Sequence, residues 1–377
     1  MTKPATLSVV LPNYNHAKFI GRALTALLAQ ERAADEIIVI DDGSTDDSVR
    51  VIERIAAGAP SIKFLVNGSN IGVIPTLERG LRAARGQYIY FGASDDYVMP
   101  GFFDRALRRL EADADIGLFC GETALIDGRT ERPLAVRPAV RPAMRAARIA
   151  PERVRHMLRT NDNWIATGSA VFRRECAIWA GGFDERYGSF ADGMLARKIA
   201  LHFGYLFEPT IVASWVVFTD SVSRTTALDL ERAQRSLGTV PALIAADPAF
   251  PPWYADVFRD RWRFATCRLA LEADPIDRSL LLGMGARNAA ERAQLERILA
   301  LFGRRLARLV ILALLWYRLR PTKLTALIRT MLAMRAMRLA LGFRLGRFRA
   351  MTPANAAADA GRTANSPGNR QVPRPKP

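Results

Sequence analysis

LSVVLPNYNHAKFIGRALTALLAQERAADEIIVID, residues 7–41, contains the strand, helix and strand that decide the fold. The outer segments, LSVVL and EIIVID, are rich in Val and Ile and do not alternate apolar with polar residues. This is typical of strands buried on both faces of a sheet, whereas AKFIGRALTALLAQ between them has the spacing of a helix. A strand, a helix and a strand in this order predict two parallel strands joined by a right-handed crossover.

The same alternation continues to about residue 91, through the strand-like IKFLV and QYIYFG and the helical pattern before each. The sequence therefore predicts an α/β fold with a Rossmann-like, mostly parallel sheet flanked by helices. From 113 to 225 the pattern is irregular, with a predicted strand at IGLFC. Residues 227–350 follow a mainly helical pattern, which predicts a C-terminal helical region.

The length of 377 residues and the distribution of charge predict three parts. Residues 1–225 would form the α/β domain, residues 226–350 a basic helical region, and residues 351–377 a disordered tail rich in Ala, Pro and Asn. The formal net charge is +17, and residues 297–350 contain thirteen Lys or Arg and no Asp or Glu. This excess favours an acidic partner such as nucleic acid, anionic lipid or a phosphorylated ligand.

Cysteine usage predicts a cytoplasmic protein. Cys120, Cys176 and Cys267 are odd in number and far apart, which favours reduced, buried thiols over a disulfide framework or a cysteine zinc site. The first residues lack the apolar region and the cleavage site of a signal peptide. The longest late apolar run, residues 309–317, is shorter than the ~20 residues that cross a membrane.

Polar clusters follow three of the predicted strands, PNYNH at 12–16, DDGSTDD at 41–47 and ASDD at 93–96. The carboxyl ends of parallel strands meet at one edge of a sheet, and ligands bind in the crevice beyond that edge. We therefore expect these clusters to converge on one ligand site.

Asp95 and Asp96 suit a divalent cation that also holds the phosphates of a substrate. Mg²⁺ takes one or two protein carboxylates and fills its remaining positions with phosphate oxygens and water, and such a cation neutralises charge on a departing diphosphate. The alternative is a turn or a helix cap before VMPGFFDRALRRL, because Asp caps helices well. For an isolated Asp pair we favour the cap.

The DDGSTDD cluster also has a structural interpretation. Residues 44–47 would cap the next helix and place acidic side chains at its positive end. That interpretation leaves Asp41 and Asp42 at the strand end without a structural role.

Together, these segments resemble the inverting family 2 glycosyltransferases, which have the GT-A fold and use nucleotide-diphospho-sugars. The resemblance rests on four stretches in the family's order, which are LSVVLPNYNHAKFIGRALTALLAQ, DEIIVIDDGSTDDS, NGSNIGVIPTLERGLRAARGQYIYFGASDDYVMPG and GSAVFRRECAIWAGGFDERYGSFADGMLARKIA. It covers roughly residues 5–225.

The resemblance implies donor-binding roles for six residues, which are Pro12, Tyr14, Asn15, Asp42, Arg79 and Asp95. The loop at 12–15 would wrap the nucleotide, and Asp42 would read the base. Arg79 would face the donor, although a surface Arg without such a role fits the pattern equally well. Asp96, with Asp95 beside it, would bind the divalent cation, Mn²⁺ or Mg²⁺.

The resemblance also implies that Asp192 is the general base. Asp192 would take the proton of an acceptor hydroxyl, and its alternative role is to cap the following helix. The family's Glu before this Asp is Ala191 here, and Val216 and Phe218 stand where many relatives have an Arg and a His that helps to hold the metal or the diphosphate. FRDRW at 258–262 resembles the Gln-x-x-Arg-Trp of processive synthases but begins with Phe258, which favours a single-transfer enzyme.

The three histidines, His16, His156 and His202, are widely separated and are interpreted as structural. Residues 297–350 combine cations with Leu, Met, Phe and Trp, which suits an anionic membrane surface better than nucleic acid, for which no recognisable fold is present. Because their later Arg residues do not share one helix face, helices packed on the catalytic domain are the alternative.

The sequence thus predicts a metal-dependent inverting glycosyltransferase that moves a sugar from a nucleotide-diphosphate donor to a hydroxyl acceptor. The acceptor would be a saccharide or a lipid-linked saccharide in surface polysaccharide or glycolipid synthesis, and the protein would be cytoplasmic or peripheral on the inner face of the cell membrane. The changes at 191, 216 and 218 leave a second hypothesis, a non-catalytic protein that kept the fold and binds nucleotide-sugars or membranes.

Overall fold

The computed structural model describes residues 6–138, 141–218 and 222–321. The part of the basic region beyond residue 321 and the tail predicted at 351–377 therefore lie outside the described residues. The described strands form one sheet with bounds β1 Leu7–Asn13, β2 Glu36–Asp41, β3 Ile62–Val66, β4 Tyr88–Phe91, β5 Leu118–Asp127, β6 Pro133–Arg137, β7 Ala147–Ile149, β8 Ala170–Arg173 and β9 Tyr205–Val217.

Helices cover both faces of this sheet and then form a C-terminal layer of their own. The helices of the first part are α1 Ala17–Leu28, α2 Ser48–Ala56, α3 Val73–Ala83, α4 Phe102–Glu111, α5 Pro151–Leu158, α6 Arg174–Trp179 and α7 Ala191–Phe203. Those of the C-terminal layer are α8 Val222–Leu228, α9 Leu230–Ala246, α10 Tyr254–Glu272, α11 Arg278–Gly285, α12 Ala289–Leu301 and α13 Arg304–Leu319.

The predicted strand–helix alternation produces the first half of the sheet. β1 pairs in parallel with β2 on one side and with β4 on the other, and β3 extends the sheet beyond β2. Crossover helix α3 lies so close to β1 that a Cβ on Gly80 would stand 2.2 Å from a methyl carbon of Val10. The parallel α/β core predicted from the alternation is confirmed.

The second half makes the sheet mixed, with the order β3-β2-β1-β4-β8-β5-β9-β7 and β6 beside β5. β8 runs antiparallel between β4 and β5, while β9 runs parallel to β5. The strand predicted at IGLFC is the start of the long β5.

Apolar side chains fill both faces of the sheet because successive residues of a strand point in opposite directions. Val10 and Ile38 belong to one buried cluster, whereas Val9 and Val39 belong to the other. The first of these clusters continues from the sheet into the C-terminal helices and includes residues of α10 and α13. Cys120, Cys176 and Cys267 are buried and free, as the sequence predicts.

The C-terminal layer is helical as predicted. α10 packs against α9, α11 and α13, and α13 contributes a buried stripe of Ala307, Ile311, Leu315 and Leu319. Within the described residues, no helix is both long enough and apolar enough to cross a membrane.

Candidate active site

The predicted rim forms at the carboxyl ends of β1, β2 and β4, which are neighbours in the sheet. Asn13 at the end of β1 donates from Nδ2 to Oδ1 of Asp41 over 2.8 Å. Ser44 donates from Oγ to the same carboxylate over 2.6 Å and from its backbone N over 2.8 Å. Asp41 therefore joins two loops of the rim, which is a structural role that the sequence did not reveal.

Asp42 also has a structural role, because both of its carboxylate oxygens accept hydrogen bonds. Oδ1 accepts from Nδ2 of Asn67 over 2.7 Å and from the backbone N of Ile71 over 3.0 Å. Oδ2 accepts from the backbone N of Gly72 over 2.9 Å. Asp42 thus anchors the loop before α3, and its predicted role in reading a base stays a prediction.

Arg79 on α3 reaches the same corner of the rim. Its Nη1 donates to the backbone O of Val66 over 3.2 Å and also contacts Oδ1 of Asn67. Since Asn67 binds Asp42, Arg79 belongs to a connected polar group on the rim. This placement distinguishes it from a surface Arg without partners.

The loop at residues 12–15 is held in place by its own side chains. Pro12 is buried, Tyr14 is exposed, and Asn15 has a positive φ of 53°. Oδ1 of Asn15 accepts from the backbone N of Thr45 over 2.8 Å, while the backbone N of Asn15 donates to Oγ of Ser44 over 2.9 Å. Hydrogen bonds therefore connect the loop after β1 with the loop after β2.

These contacts replace the helix cap predicted at Ser44 and Thr45, whereas Asp46 accepts from the backbone N of Ser48 at the start of α2 over 2.9 Å. α2 begins at Ser48, and Asp47, the residue at its N-cap, makes no side-chain capping hydrogen bond. Ser44 and Thr45 are instead bound by the loop that follows β1. The predicted cap at these two residues is wrong, because their hydroxyl groups donate to Asp41 and Asn15 instead.

Asp95 and Asp96 lie half-buried on the loop after β4. They do not cap the following helix, since α4 begins at Phe102 with Gly101 at its N-cap. Oδ1 of Asp96 accepts from the backbone N of Val216 over 2.6 Å. Among the described residues, Oδ2 of Asp96 has no hydrogen-bond partner, so one oxygen of this carboxylate is available to a ligand.

The two carboxyl groups disfavour each other's charge. Burial raises the pKa of Asp95, and burial together with the neighbouring charge of Asp95 raises the pKa of Asp96 well above its usual value. Arg22 opposes both shifts, and its Nη2 lies 3.4 Å from the backbone O of Asp95. A bound cation would relieve the same repulsion.

His16 stands beside this pair, as the predicted convergence of residues 12–16 and 93–96 implies, although the sequence analysis interpreted this histidine as structural. Its Nδ1 lies 2.7 Å from Oγ of Ser94, the residue before Asp95, and its ring meets that of Phe19 edge-on. Nε2 of His16 has no hydrogen-bond partner among the described residues. The two residues are 78 positions apart in the chain, so only the pairing of β1 with β4 could have predicted the contact.

Asp192 lies in the first turn of α7, half-buried. The helix begins at Ala191 with Phe190 at its N-cap, and Asp192 accepts from the backbone N of Gly193 over 2.6 Å. Asp192 is therefore one residue past the start of the helix, and the predicted cap at this position is wrong. The short 3₁₀ turn Thr167–Ser169 packs against both β4 and α7, so one turn connects the strand before Asp96 with the helix of Asp192.

Ala191 and Phe258 are both buried. Ala191 is buried and lines a cavity of about 410 Å³ together with Tyr187 and Lys198. Phe190 beside it contacts the ring of Phe258 edge-on at 5.1 Å between centroids. The FRDRW segment thus supports the start of α7 by packing.

Val216 and Phe218 are likewise packed. The side chain of Val216 is buried while its backbone orients Asp96. The ring of Phe218 lies 5.2 Å from that of Phe19, centroid to centroid. Among the described residues, no group of three His, Cys, Asp or Glu side chains could hold a metal ion by itself.

A buried polar network connects the loop after α5 with α7 and α10. Nη1 of Arg261 lies 3.2 Å from Oδ2 of Asp162, and the hydroxyl of Tyr254 donates to the same oxygen over 3.1 Å. Arg197 on α7 donates from Nη2 to the backbone O of Asp162 over 2.8 Å. Burial alone would raise the pKa of Asp162, but the two Arg side chains and Tyr254 outweigh it and hold that pKa below its usual value.

Comparison with known proteins supports one family. Residues 8–178 match the family model described as glycosyl transferase family 2. Together with the parallel core and the acidic rim described above, this match indicates that this part of the chain is similar to the family 2 glycosyltransferases.

Two curated relatives show how far the similarity extends. An uncharacterised protein of Mycobacterium tuberculosis (strain CDC 1551 / Oshkosh), MT1568, is 32% identical over 208 residues, which are 54% of this chain and 64% of that protein. The succinoglycan biosynthesis protein ExoO of Rhizobium meliloti (strain 1021) is 28% identical over 256 residues, 67% of this chain and 70% of ExoO. The chain thus spans less than two thirds of the length of the first of these relatives.

A solved structure supports the GT-A fold. The mannosyltransferase PcManGT from Pyrobaculum calidifontis, determined in complex with GDP-Man and Mn²⁺, aligns with a TM-score of 0.53 at 20% identity. The alignment covers 88% of this chain and 87% of that one. Because it extends past residue 225, the likeness includes part of the C-terminal helices.

Proposed function

We propose that this protein is a metal-dependent, inverting glycosyltransferase that moves a sugar from a nucleotide-diphospho-sugar to a hydroxyl acceptor. The observation that carries the proposal is the half-buried Asp95–Asp96 pair, in which Asp96 keeps one carboxylate oxygen without a partner among the described residues. A carboxylate pair with raised pKa values is unfavourable unless a positive group joins it.

The residues present fit a divalent cation shared with the donor. Asp96 and Asp95 would supply its protein ligands, and the donor diphosphate and water would supply the rest, as is usual for Mg²⁺. When bound, the cation would stabilise the negative charge of the departing diphosphate. PcManGT, whose structure contains GDP-Man and Mn²⁺, has the same fold and supports this choice of donor class and of metal.

Asp192 would act as the general base of the transfer. It would accept the proton of the acceptor hydroxyl while that oxygen forms its bond to the anomeric carbon of the donor sugar. The bond from that carbon to the diphosphate breaks on the opposite face, and the electron pair leaves with the nucleoside diphosphate. Attack opposite the leaving group inverts the anomeric configuration.

The donor would lie along the rim from the loop at 12–15 to Asp96. Tyr14 is exposed there and offers a stacking surface, while Asp42 and Arg79 stand at the corner where a base would sit. His16 would point Nε2 toward the diphosphate. Since Pro12, Asn15 and Asp42 are fixed by contacts within the rim, this surface is formed before a donor arrives.

We place the reaction in the synthesis of a surface polysaccharide or a glycolipid, with a saccharide or lipid-linked saccharide as acceptor. ExoO, named for succinoglycan biosynthesis, supports the polysaccharide setting. An acceptor carried on lipid would place the enzyme at the inner face of the cell membrane.

Release of the nucleoside diphosphate from a panel of nucleotide-sugars, with Mn²⁺ or Mg²⁺ and saccharide acceptors, tests the proposal. The base assignment predicts that Asp192→Asn loses about 10²–10⁴-fold in turnover and still binds the donor. Asp256→Asn, at an exposed carboxylate on α10, is the matched control and should keep full activity.

Equal turnover of wild type and Asp192→Asn would overturn the base assignment. If the wild type binds donors but turns over none of the panel, the second hypothesis of a binding protein is favoured. The residues at 191, 216 and 218 are the observation that motivates this hypothesis. Full activity in the presence of a chelator would exclude the metal.

A further inference from the structure

Helix α13 has two apolar faces, and only one of them is covered by described residues. The inner face consists of Ala307, Ile311, Leu315 and Leu319, which are buried where α13 packs against α10 and α12. A helix that only completes a globular core would present polar residues on its other side. α13 does not.

The outer face carries a continuous apolar stripe. Its members follow one another at intervals of three or four residues, so they lie on one side of the helix. The exposed fractions are 50% for Leu306, 66% for Leu309 and 68% for Tyr317, and Ala313 between them is also exposed. We call these four residues the outer stripe.

The surroundings of the outer stripe are positively charged. Residues 297–321 contain six Arg and no Asp or Glu. Arg305 precedes Leu306 and Arg320 follows the last residue of α13, and both are exposed, while Arg308 is turned away and donates to the backbone O of Ala273 over 2.8 Å. The surface therefore combines exposed Leu and aromatic side chains with cations.

We propose that the outer stripe of α13 is a docking surface for the interface of an anionic lipid membrane. A helix with an apolar face and flanking cations lies in the plane of such an interface, its apolar side chains among the acyl chains and its cations near the headgroups. The 16 residues of α13 correspond to about 24 Å of helix. The helix therefore lies on the membrane and does not cross it.

Charge favours a membrane over a second copy of the chain. A symmetric dimer through the outer stripe would bring the Arg305 and Arg320 side chains of both copies together, and the stretch offers no acidic residue to compensate them. Anionic headgroups supply that compensation. This inference refines the membrane association proposed above and does not depend on transferase activity.

Flotation of the full chain with vesicles tests the proposal. We expect the wild type to float with vesicles that contain phosphatidylglycerol, and to float much less with pure phosphatidylcholine or at high salt. The double variant Leu306→Glu/Leu309→Glu should lower vesicle binding by at least about tenfold. Leu134→Glu, at another exposed Leu, is the matched control and should bind as the wild type does.

Further variants separate the charge from the apolar contact. Arg305→Glu/Arg320→Glu should weaken binding to the anionic vesicles, whereas Arg50→Glu, at an exposed Arg on α2, should not. If the full chain does not float with anionic vesicles, or if the Leu double variant floats as well as the wild type, the proposal is wrong.

Two other occupants of the stripe would give different results. Self-association would appear as a mass that rises with protein concentration in light scattering and falls to the monomer in the Leu double variant. Coverage by residues 322–377 of the same chain would appear as a lower melting temperature of that variant without vesicles. The membrane proposal predicts neither change, and it predicts unaltered release of nucleoside diphosphate by the variant in solution.

Discussion

At the scale of single residues, the Asp95–Asp96 pair links stability to function. Both pKa values are raised in the folded protein, so the folded state binds more protons than the unfolded chain above pH ~4. Stability from this source is therefore lost as the pH rises through the folded pKa values. At neutral pH the pair is a cost of folding that a bound cation would offset.

Asp96→Asn should reverse this cost. The amide keeps an oxygen that can accept from the backbone N of Val216, but it carries no charge. In metal-free buffer at pH 7 we expect the variant to melt about 2–4 °C above the wild type, the shift that 1 kcal/mol gives in domains of roughly 200 residues. Mn²⁺ with a nucleoside diphosphate should raise the melting temperature of the wild type and not that of the variant.

Asp104→Asn, at a carboxylate of α4 paired with Arg108, serves as the control and should keep the response to Mn²⁺ and nucleotide. The difference between the two melting temperatures should shrink as the pH falls through the raised pKa values of the pair, because the wild-type carboxylates then take up protons. A variant that is less stable than the wild type in metal-free buffer would contradict the electrostatic argument.

How well residues could be predicted depended on how far apart their partners are in the chain. The placement of Asp95 and Asp96 on a loop after a buried strand follows from the strand pattern alone. The roles of Asp41 and Asp42 were missed because their partners, Asn13 and Asn67, belong to other loops of the rim. The meeting of the segments that contain His16 and Ser94 was predicted, but His16 itself was interpreted as structural.

At the scale of elements, the loop after α5 depends on α10. The carboxylate of Asp162 on that loop forms an ion pair with Arg261 and accepts a hydrogen bond from Tyr254. The backbone oxygen of Asp162 accepts a hydrogen bond from Arg197. The first half of the sheet followed from the periodicity of the sequence because each strand is a local apolar run. The insertion of β8 between β4 and β5 did not, since antiparallel pairing between distant segments leaves no local pattern.

Asp162→Asn should destabilise the protein by about 3 kcal/mol, because it leaves the mostly buried Arg261 without its counter-charge. The folded pKa of Asp162 is lowered. Its contribution to stability is therefore complete above the usual value near pH ~4 and is lost as the pH falls through the folded pKa. Urea unfolding between pH 3 and 7 measures this, and the difference between variant and wild type should shrink toward the acid end.

Asp256→Asn, at an exposed carboxylate of α10, which also carries Arg261, should change the free energy of unfolding by less than about 1 kcal/mol at every pH. The double variant Asp162→Asn/Arg261→Met should recover part of the lost stability, because both buried charges are then removed. An Asp162→Asn variant as stable as the wild type would show that the network does not hold the loop.

At the scale of the whole molecule, one buried apolar cluster runs from the sheet to the last described helix. The sequence predicted the helical content of the C-terminal region but divided the chain at residue 225, where the periodicity changes. Composition does not show whether a helical region packs on the sheet or stands alone, because both need an apolar face. The continuity of the cluster leads us to predict that residues 6–321 unfold in one cooperative transition.

Ile311→Ala tests this coupling. Ile311 is fully buried between α13 and its neighbours, and its truncation should cost about 2–5 kcal/mol. If the helices and the sheet unfold together, calorimetry of the full chain will show a single transition that moves to lower temperature in the variant, and donor-dependent stabilisation will persist. Leu309→Ala, on the exposed face of the same helix, should leave the melting temperature within about 1 °C of the wild type. Two transitions, of which only one responds to Ile311→Ala, would show that the C-terminal helices are a separate folding unit.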